Sequence, residues 1–299
     1  MTDRISALVL TQHANHFVGR FQAMASPCEL LMDTRDPALA KSLLTLAAQH
    51  TWAFEAKFSR YRDDSLCQQI NQSRGRPVAI DAEAYRLLSF ADRCYQLSDG
   101  LFDLTSGVLR RIWRFEPGAM PPSQAEISKC LSRIGWHRVR FNQQQVVLPD
   151  GMELDFGGIG KEYAVDRCAA LLAQRSPTTP VLVNFGGDIA LSRPRGNPWQ
   201  IGIADTPAIT SELPGPIALA QGALATSGDT HRCLVHNGIR YSHILNPKTG
   251  WATHGGPRQL TVAGDSCLHA GLLATLALLH GDQAEAFIRQ QDVDYWVTP

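Results

Sequence analysis

The predicted strands of this chain follow one another in hairpin-like pairs, and this pairing limits the possible folds more than any other feature. Between residues 136 and 148, apolar residues at 139, 141, 146 and 147 flank the polar tip Asn142-Gln143-Gln144, a pattern typical of a β-hairpin. Further strand patterns cover residues 181–185, 199–203, 232–236, 240–245 and 259–263. Strands joined by short turns are antiparallel neighbours, so we expect mainly antiparallel sheets.

Segments of helical periodicity separate these strands. From Pro37 to about Phe58, Leu39, Leu43 and Leu46 recur on one side. The sequence predicts further helices over residues 81–97, 123–134 and 161–174, and residues 270–280 form an apolar segment of helical length. We therefore expect an α+β fold: a single two-lobed domain over residues 17–299, with flanking helices. Residues 1–16 are expected to form a poorly ordered N-terminal extension.

Composition and charge exclude several classes of protein. The 299 residues are 44% hydrophobic and 19% charged, with 28 Lys and Arg balancing 28 Asp and Glu. This balance argues against disorder and gives no general attraction to nucleic acid or acidic lipid. No apolar run approaches the roughly 18 residues of a membrane span, and the N-terminus lacks the pattern of a secretory signal. Seven scattered cysteines without a CxxC pair suit a reducing compartment. We expect a cytoplasmic protein with no nucleic-acid partner and no membrane insertion.

Four regions combine glycine with acidic or polar residues at predicted turns: residues 99–107, 154–163, 183–189, and 225–230 together with 240–250. Each region alone has a purely structural explanation. Gly100 suits a helix C-terminus, and either Asp103 or Thr105 suits the N-cap of a following helix. The three glycines at 157, 158 and 160 precede a helix start, where open backbone N–H groups bind phosphate or simply form a tight turn. His243, on a predicted strand, could equally be a structural histidine.

Taken in order, these regions resemble the recurring motifs of the ApbE family, the FAD:protein FMN transferases. Residues 99–105 resemble DGxFDxT, 154–166 resemble LDxxxIxKGYxxD, 183–189 resemble VNxGGDI, 226–229 resemble TSGDY, and 243–250 resemble HIxDPxTG. Residues 21–26 resemble the entry strand of the family. The resemblance extends from about residue 20 to about residue 290.

The resemblance implies a fold, a reaction and two ligands. It implies that FAD binds in a cleft between two lobes. It also implies that the enzyme cleaves the FAD pyrophosphate and attaches FMN, by a phosphoester bond, to a Thr or Ser of an acceptor protein, releasing AMP. FAD would be the substrate and Mg²⁺ the metal. A divalent cation suits this chemistry because it neutralises charge developing on phosphate.

Site residues are carried over from the family position by position. His243 would accept the proton of the acceptor hydroxyl, since the unperturbed pKa of histidine is near neutral. Gly158, through its backbone carbonyl, and Thr275 would bind the metal. The residues implied to contact FAD are Met24, Tyr61, Leu101, Phe102, Asp103, Asp155, Lys161 and Ile244.

The chain departs from the family pattern most clearly in the C-terminal helix. The family typically has ADALAT where residues 270–275 read AGLLAT, so Gly271 replaces a metal-binding aspartate. Because Thr275 follows four residues later, an aspartate introduced at 271 is expected to face the same site. Carboxylates that could replace it are Asp188, Asp229 and Asp265. Smaller departures are Glu162 for the glycine of KGY and Asn246 for the aspartate of DPxTG. These departures leave two alternatives open: a non-catalytic FAD-binding or flavin-delivery protein, and an FAD pyrophosphatase.

Overall fold

A computed structural model describes residues 5–116, 118–202, 215–229 and 233–298, so the predicted strands 199–203 and 232–236 lie partly outside the described residues. The strands are β1 Val9–Gln12, β2 Phe17–Ala23, β3 Ser26–Met32, β4 Val78–Ala79, β5 Arg140–Phe141, β6 Gln145–Val147, β7 Val181–Phe185, β8 Asp188–Leu191, β9 Trp199–Ile201, β10 Ile217–Leu219, β11 Ala223–Gly228, β12 Cys233–His236, β13 Ile239–Ser242, β14 Gln259–Gly264 and β15 Tyr295–Thr298.

The helices are α1 Pro37–Phe58, α2 Leu66–Asn71, α3 Ala82–Leu97, α4 Gln124–Leu131, α5 Gly160–Arg175, α6 Cys267–Leu279 and α7 Ala284–Arg289. Short 3₁₀ helices cover Leu104–Arg111, Trp136–Arg138, Phe156–Gly158 and Gly281–Gln283. The bounds of α1 agree with the sequence prediction because its start is strongly encoded. Asp36 accepts hydrogen bonds from the backbone N–H groups of Ala38 and Leu39, and Pro37 occupies the first helical position.

One large sheet organises the molecule, with eight strands in the order β1-β2-β3-β7-β8-β11-β14-β15. Every neighbouring pair in this sheet is antiparallel. Three smaller sheets, β4-β6-β5, β9-β10 and β12-β13, are antiparallel as well. The mixed α+β architecture with antiparallel sheets is confirmed.

The two faces of the large sheet bury different side chains because successive residues of a strand point to opposite sides. On β7, Val181 and Val183 belong to the main core, which α1, α5 and α6 cover. Leu182, between them, packs on the other face against Trp199 and Ile217 of the β9-β10 pair. Helices thus pack on one face of the sheet, and this strand pair packs on the other.

A second, smaller core lies apart from the main one. It is built around Trp113, whose indole N–H donates a hydrogen bond to the carbonyl of Gly250 at 2.9 Å. Its other buried members are Val108, Leu109, Cys130, Leu234 and Ala252. The chain therefore has two lobes, with the second core in the smaller one.

The N-terminal segment differs in part from the sequence expectation. Residues 9–12 were expected to be poorly ordered, but they form β1 and pair with β2, with Val9 opposite Arg20 and Gln12 opposite Phe17. Leu8 and Leu10 pack against the main core and hold this strand at the edge of the large sheet. Among the described helices, none combines the length and the apolar character needed to cross a bilayer.

Candidate active site

A cleft of about 330 Å³ draws its walls from both lobes. Phe102 belongs to the main core, whereas Leu245 packs against the second core. Nine of the eleven predicted site residues line this cleft: Leu101, Phe102, Asp103, Asp155, Gly158, Lys161, His243, Ile244 and Thr275. The structure thus brings together residues that lie up to 174 positions apart in the sequence.

The first wall follows helix α3. The chain leaves α3 through Asp99 and Gly100, which both have positive φ, and the N–H of Gly100 donates to the carbonyl of Tyr95 at 2.8 Å. Asp103 then caps the 3₁₀ helix that follows: its Oδ1 accepts from the N–H and the hydroxyl of Thr105, at 2.7 and 2.6 Å. Its Oδ2 accepts from the N–H of Trp136 at 3.0 Å. Asp103 therefore fixes the shape of the loop that forms this wall.

Asp155 is held by two arginines at the start of the glycine segment. Its Oδ2 accepts hydrogen bonds from Arg60 and Arg110, each at 2.9 Å, and its Oδ1 accepts from the N–H of Gly157 at 2.9 Å. Burial alone would raise the pKa of Asp155. The charges of Arg110 and Arg60 and the hydrogen bond from Gly157 outweigh burial, so this pKa lies below its ordinary value. Asp155 thus stays ionised and holds two guanidinium groups beside the cleft.

Lys161 forms the cationic part of the next wall. Its ammonium group lies 2.9 Å from Oδ2 of Asp188, a carboxylate with only 2% of its surface exposed. Burial would lower the pKa of Lys161, but the charge of Asp188 and its hydrogen bond raise it above the ordinary value. Lys161 is therefore a fixed positive charge at the first turn of α5. No side chain caps this helix, whose preceding residue is Ile159. Its first N–H groups are free of a side-chain cap and suit a phosphate.

Glu162, the next residue, is a buried acid that the sequence analysis noted only as a departure. It lines the cleft with 8% of its surface exposed, and its Oε2 has no hydrogen-bond partner within the described part of the chain. Burial, and next the charge of Asp188, raise the pKa of Glu162 to about 8. An acidic residue beside three glycines at a helix start was the signal in the sequence.

Helix α6 supplies the opposite wall through Thr275. The hydroxyl of Thr275 lies 2.9 Å from the hydroxyl of Ser227, which is near the end of β11. One turn earlier, Gly271 faces the side chain of Glu162. The N-terminus of α6 is fixed by Asp166, whose two carboxylate oxygens accept from the N–H groups of Cys267 and Leu268 at 2.8 and 2.9 Å. Helices α5 and α6 are thus joined beside the cleft.

His243 follows β13 directly and lies where two cavities meet. It lines both the cleft and a larger cavity of about 1100 Å³ beside β3, β7 and β9. The ring of Phe115 packs edge-on against the imidazole at a centroid distance of 6.4 Å. The next residue, Ile244, donates its N–H to the hydroxyl of Ser242 at 3.1 Å, which fixes the turn.

Two predicted residues are not brought into the cleft. Tyr61 is 77% exposed in the turn after α1, and Met24 is at the tip of the β2-β3 hairpin. The N–H of Met24 donates to Oε1 of Glu55 at 2.7 Å. Its neighbour Ala25 lines the larger cavity. A role for Met24 and Tyr61 in FAD binding stays a prediction.

Of the three carboxylates considered as replacements for an aspartate at 271, only Asp188 lines the cleft. Asp229 accepts hydrogen bonds from Arg240 at 2.9 and 3.0 Å and lies 3.4 Å from Arg258. Asp265 is exposed in the turn before α6. Across the described ranges, no three His, Cys, Asp or Glu side chains form a group able to hold a metal by themselves. A cation in the cleft would also need hydroxyl, carbonyl or substrate oxygens.

Comparison with known proteins identifies the family. The sequence model of the ApbE family matches residues 24–297. A relative from Vibrio cholerae, named FAD:protein FMN transferase, is 30% identical over 235 residues, covering 76% of this chain and 70% of its own. A relative of the same name from Klebsiella pneumoniae is 29% identical over 278 residues, covering 91% and 85%.

Two solved structures share the fold. The crystal structure of the ApbE protein from Thermotoga maritima superimposes with a TM-score of 0.85 at 27% identity, covering 94% of both chains. The apo form of the flavinyl transferase ApbE from Pseudomonas stutzeri gives a TM-score of 0.82 at 23% identity, covering 97% of this chain and 91% of its own. With the match of the family model to nearly the whole sequence, these similarities show that the chain belongs to the ApbE family.

Proposed function

We propose that this protein is an FAD:protein FMN transferase. It cleaves FAD and attaches FMN by a phosphoester bond to a Thr or Ser of an acceptor protein, with release of AMP. The observation that carries the proposal is the cleft in which nine carried-over residues meet, in a chain whose family relatives bear this name.

The charges around the cleft suit a pyrophosphate. Lys161 remains cationic beside Asp188, and Arg110 lines the same cleft. The uncapped first turn of α5 adds backbone N–H groups and the positive end of the helix dipole. These groups stabilise negative charge as it develops on the departing phosphate, which is the main requirement of phosphoryl transfer.

The oxygen donors of the cleft fit Mg²⁺, which prefers oxygen ligands and retains several waters. Gly158 would bind the ion through its carbonyl and Thr275 through its hydroxyl, and the orphaned Oε2 of Glu162 lies in the same cleft. When bound, the ion would neutralise phosphate charge. Lys161 and the first turn of α5 would orient the phosphates.

His243 is the proton acceptor of the proposed transfer. It lies between the cleft and the larger cavity, so a hydroxyl entering from the larger side meets the imidazole beside the FAD phosphates. The acceptor oxygen forms the new bond to the FMN phosphorus as the bond from that phosphorus to the bridging oxygen breaks. The hydroxyl proton passes to His243, and AMP leaves with the bridging oxygen.

Incubation with FAD, Mg²⁺ and an acceptor protein carrying a Thr or Ser flavinylation site tests this proposal. Flavin fluorescence on the acceptor that survives denaturing electrophoresis, with AMP released in equal amount, is the expected result. An acceptor in which the target hydroxyl is replaced by alanine is the control. Free FMN and AMP without labelled acceptor would instead identify a pyrophosphatase, and bound, unchanged FAD would identify a flavin-binding protein.

The compartment remains a prediction from the sequence. All seven cysteines are free thiols. Six of them are buried, and Cys233 is partly exposed. This supports a reducing environment such as the cytoplasm.

A further inference from the structure

The contacts of Glu162 do not explain why its carboxylate is buried. It lies in the first turn of α5, more than nine-tenths buried, and its Oε2 has no hydrogen-bond partner among the residues described. Burying a carboxylate oxygen without a partner is costly, so native structures rarely do so without a ligand. The side chain also lines the cleft, where a ligand can reach it.

Each of the other carboxylates that line the described cleft has a hydrogen-bonding or charged partner. Asp103 is hydrogen-bonded through both oxygens to backbone and hydroxyl groups, and Asp155 is paired with two arginines. Asp188 is paired with Lys161. Glu162 therefore has the oxygen that remains available for a positively charged ligand.

Gly271 is explained by the room that Glu162 needs. A Cβ at position 271 would lie 2.6 Å from Cγ, 3.1 Å from Oε1 and 3.2 Å from Cδ of Glu162, so any other residue would displace the carboxylate. The backbone itself does not require glycine, because Gly271 lies inside α6 and does not have a positive φ. Glycine is unfavourable in a helix interior. The two departures from the family pattern are thus coupled: the chain has a carboxylate at 162 and, to make room for it, no side chain at 271.

The oxygen of Thr275 is on the same side of α6, one turn beyond Gly271. Its hydroxyl is 2.9 Å from that of Ser227, and both residues line the cleft with Glu162 and Gly158. A carboxylate, a hydroxyl and a backbone carbonyl are the hard oxygen donors that Mg²⁺ prefers.

We propose that Glu162 is the anionic ligand of a divalent cation in this cleft, and that Gly271 is glycine so that the carboxylate can lie there. The inference deepens the proposed function, since it assigns the metal ligand of the same site. It predicts that the charge can be moved between the two helices, from 162 to 271, without loss of the ion.

Binding of Mn²⁺ alone to the full chain tests the inference without turnover. Electron paramagnetic resonance of free Mn²⁺ gives the dissociation constant for wild type, Glu162→Gln, Glu162→Gly and the double variant Glu162→Gly/Gly271→Asp. We expect both single variants to weaken binding at least about tenfold, the lower end of losses known for metal-site partners. The double variant should recover most of this loss. Asp265→Asn, which removes an exposed carboxylate near α6, is the matched control and should bind like wild type.

Circular dichroism of each variant shows whether it is folded, and Glu162→Gln keeps the size of the side chain. Equal Mn²⁺ affinity in wild type and folded Glu162→Gln, or no binding by wild type, would overturn the inference. Labelling of the acceptor by wild type is measured separately. A wild type that transfers FMN but binds Mn²⁺ independently of Glu162 would leave the proposed function standing and remove only the ligand assignment.

Discussion

Asp155 forms buried ion pairs with Arg60 and Arg110, which are distant from it in the sequence. Replacing it with asparagine should lower the free energy of unfolding by an amount that the structure lets us calculate. The carboxylate is 13% exposed and receives hydrogen bonds at 2.9 Å from Arg60, Arg110 and the N–H of Gly157. Breaking a buried pair costs about 3–5 kcal/mol. We expect about 3 kcal/mol, the lower end of that range, because Arg60 keeps Glu153 at 3.2 Å and Arg110 is 29% exposed.

Urea denaturation measures this loss. With a slope of about 3 kcal/mol per M for a large domain, the midpoint of Asp155→Asn should fall by about 1 M at pH 7. The control is Asp64→Asn, which removes a similar forked pair with Arg62 at 2.7 and 3.0 Å on the exposed surface and should leave the midpoint unchanged. Equal midpoints for the two variants would refute the reasoning that burial gives the Asp155 pair its strength.

The same pair makes stability depend on acid in a defined direction. The pKa of Asp155 is lowered in the folded protein, so its stabilisation is fully present above the ordinary value of 3.8 and is lost as the pH falls through the folded pKa. The difference in unfolding free energy between wild type and Asp155→Asn should therefore shrink below about pH 4. A difference that stays constant down to pH 3 would contradict the ion-pair explanation.

Three further changes test the site. His243→Ala should retain FAD but lower the rate of FMN transfer by about 10²–10⁴, the range for a positioned proton acceptor; an unchanged rate would make His243 structural. Lys161→Gln should destabilise the protein by about 3 kcal/mol because it leaves Asp188 buried and unpaired; chemical denaturation measures this, and Lys161→Gln/Asp188→Asn should be more stable than the single variant. Gly271→Ala removes no charge and improves helix propensity, yet it should weaken Mn²⁺ binding by displacing Glu162; Mn²⁺ affinity equal to that of wild type would show that the carboxylate is not confined there.

Local structure was predictable where the sequence encodes it locally. The start of α1 follows from Asp36 and Pro37. The sequence offered Asp103 or Thr105 as the cap of the next helix, and in the structure Asp103 is the cap. Hydrophobic spacing placed α3 and α5 within one or two residues of their observed bounds. The paired strands were enough to predict the antiparallel sheets, although not the order of eight strands.

Long-range contacts were not predictable from one sequence. Arg60 and Asp155 are 95 residues apart, and nothing in the local pattern of either indicates the other. Glu162 and Gly271 each look like a small departure from a motif, and only their meeting across two helices shows that they belong together. The sequence predicts that an aspartate added at 271 faces the same site as Thr275. In the structure the side chain of Glu162 occupies the space beside Gly271, so this single change would displace the carboxylate.

The clamp formed by Asp166 determines the alignment of the two helices that carry this site. Asp166 on α5 accepts a hydrogen bond from Cys267 on α6. Four residues earlier on α5, Glu162 lies against Gly271, which is four residues later on α6. The two helices therefore run in opposite directions, and their contacts are one turn apart on each helix. Thr275 lies one turn further along α6, in the wall of the cleft. Sliding α6 by one residue would disturb both pairs and move this hydroxyl. The position of Thr275 in the site is therefore determined by a clamp eight residues earlier in α6, about 12 Å along the helix axis, and not by the ion itself.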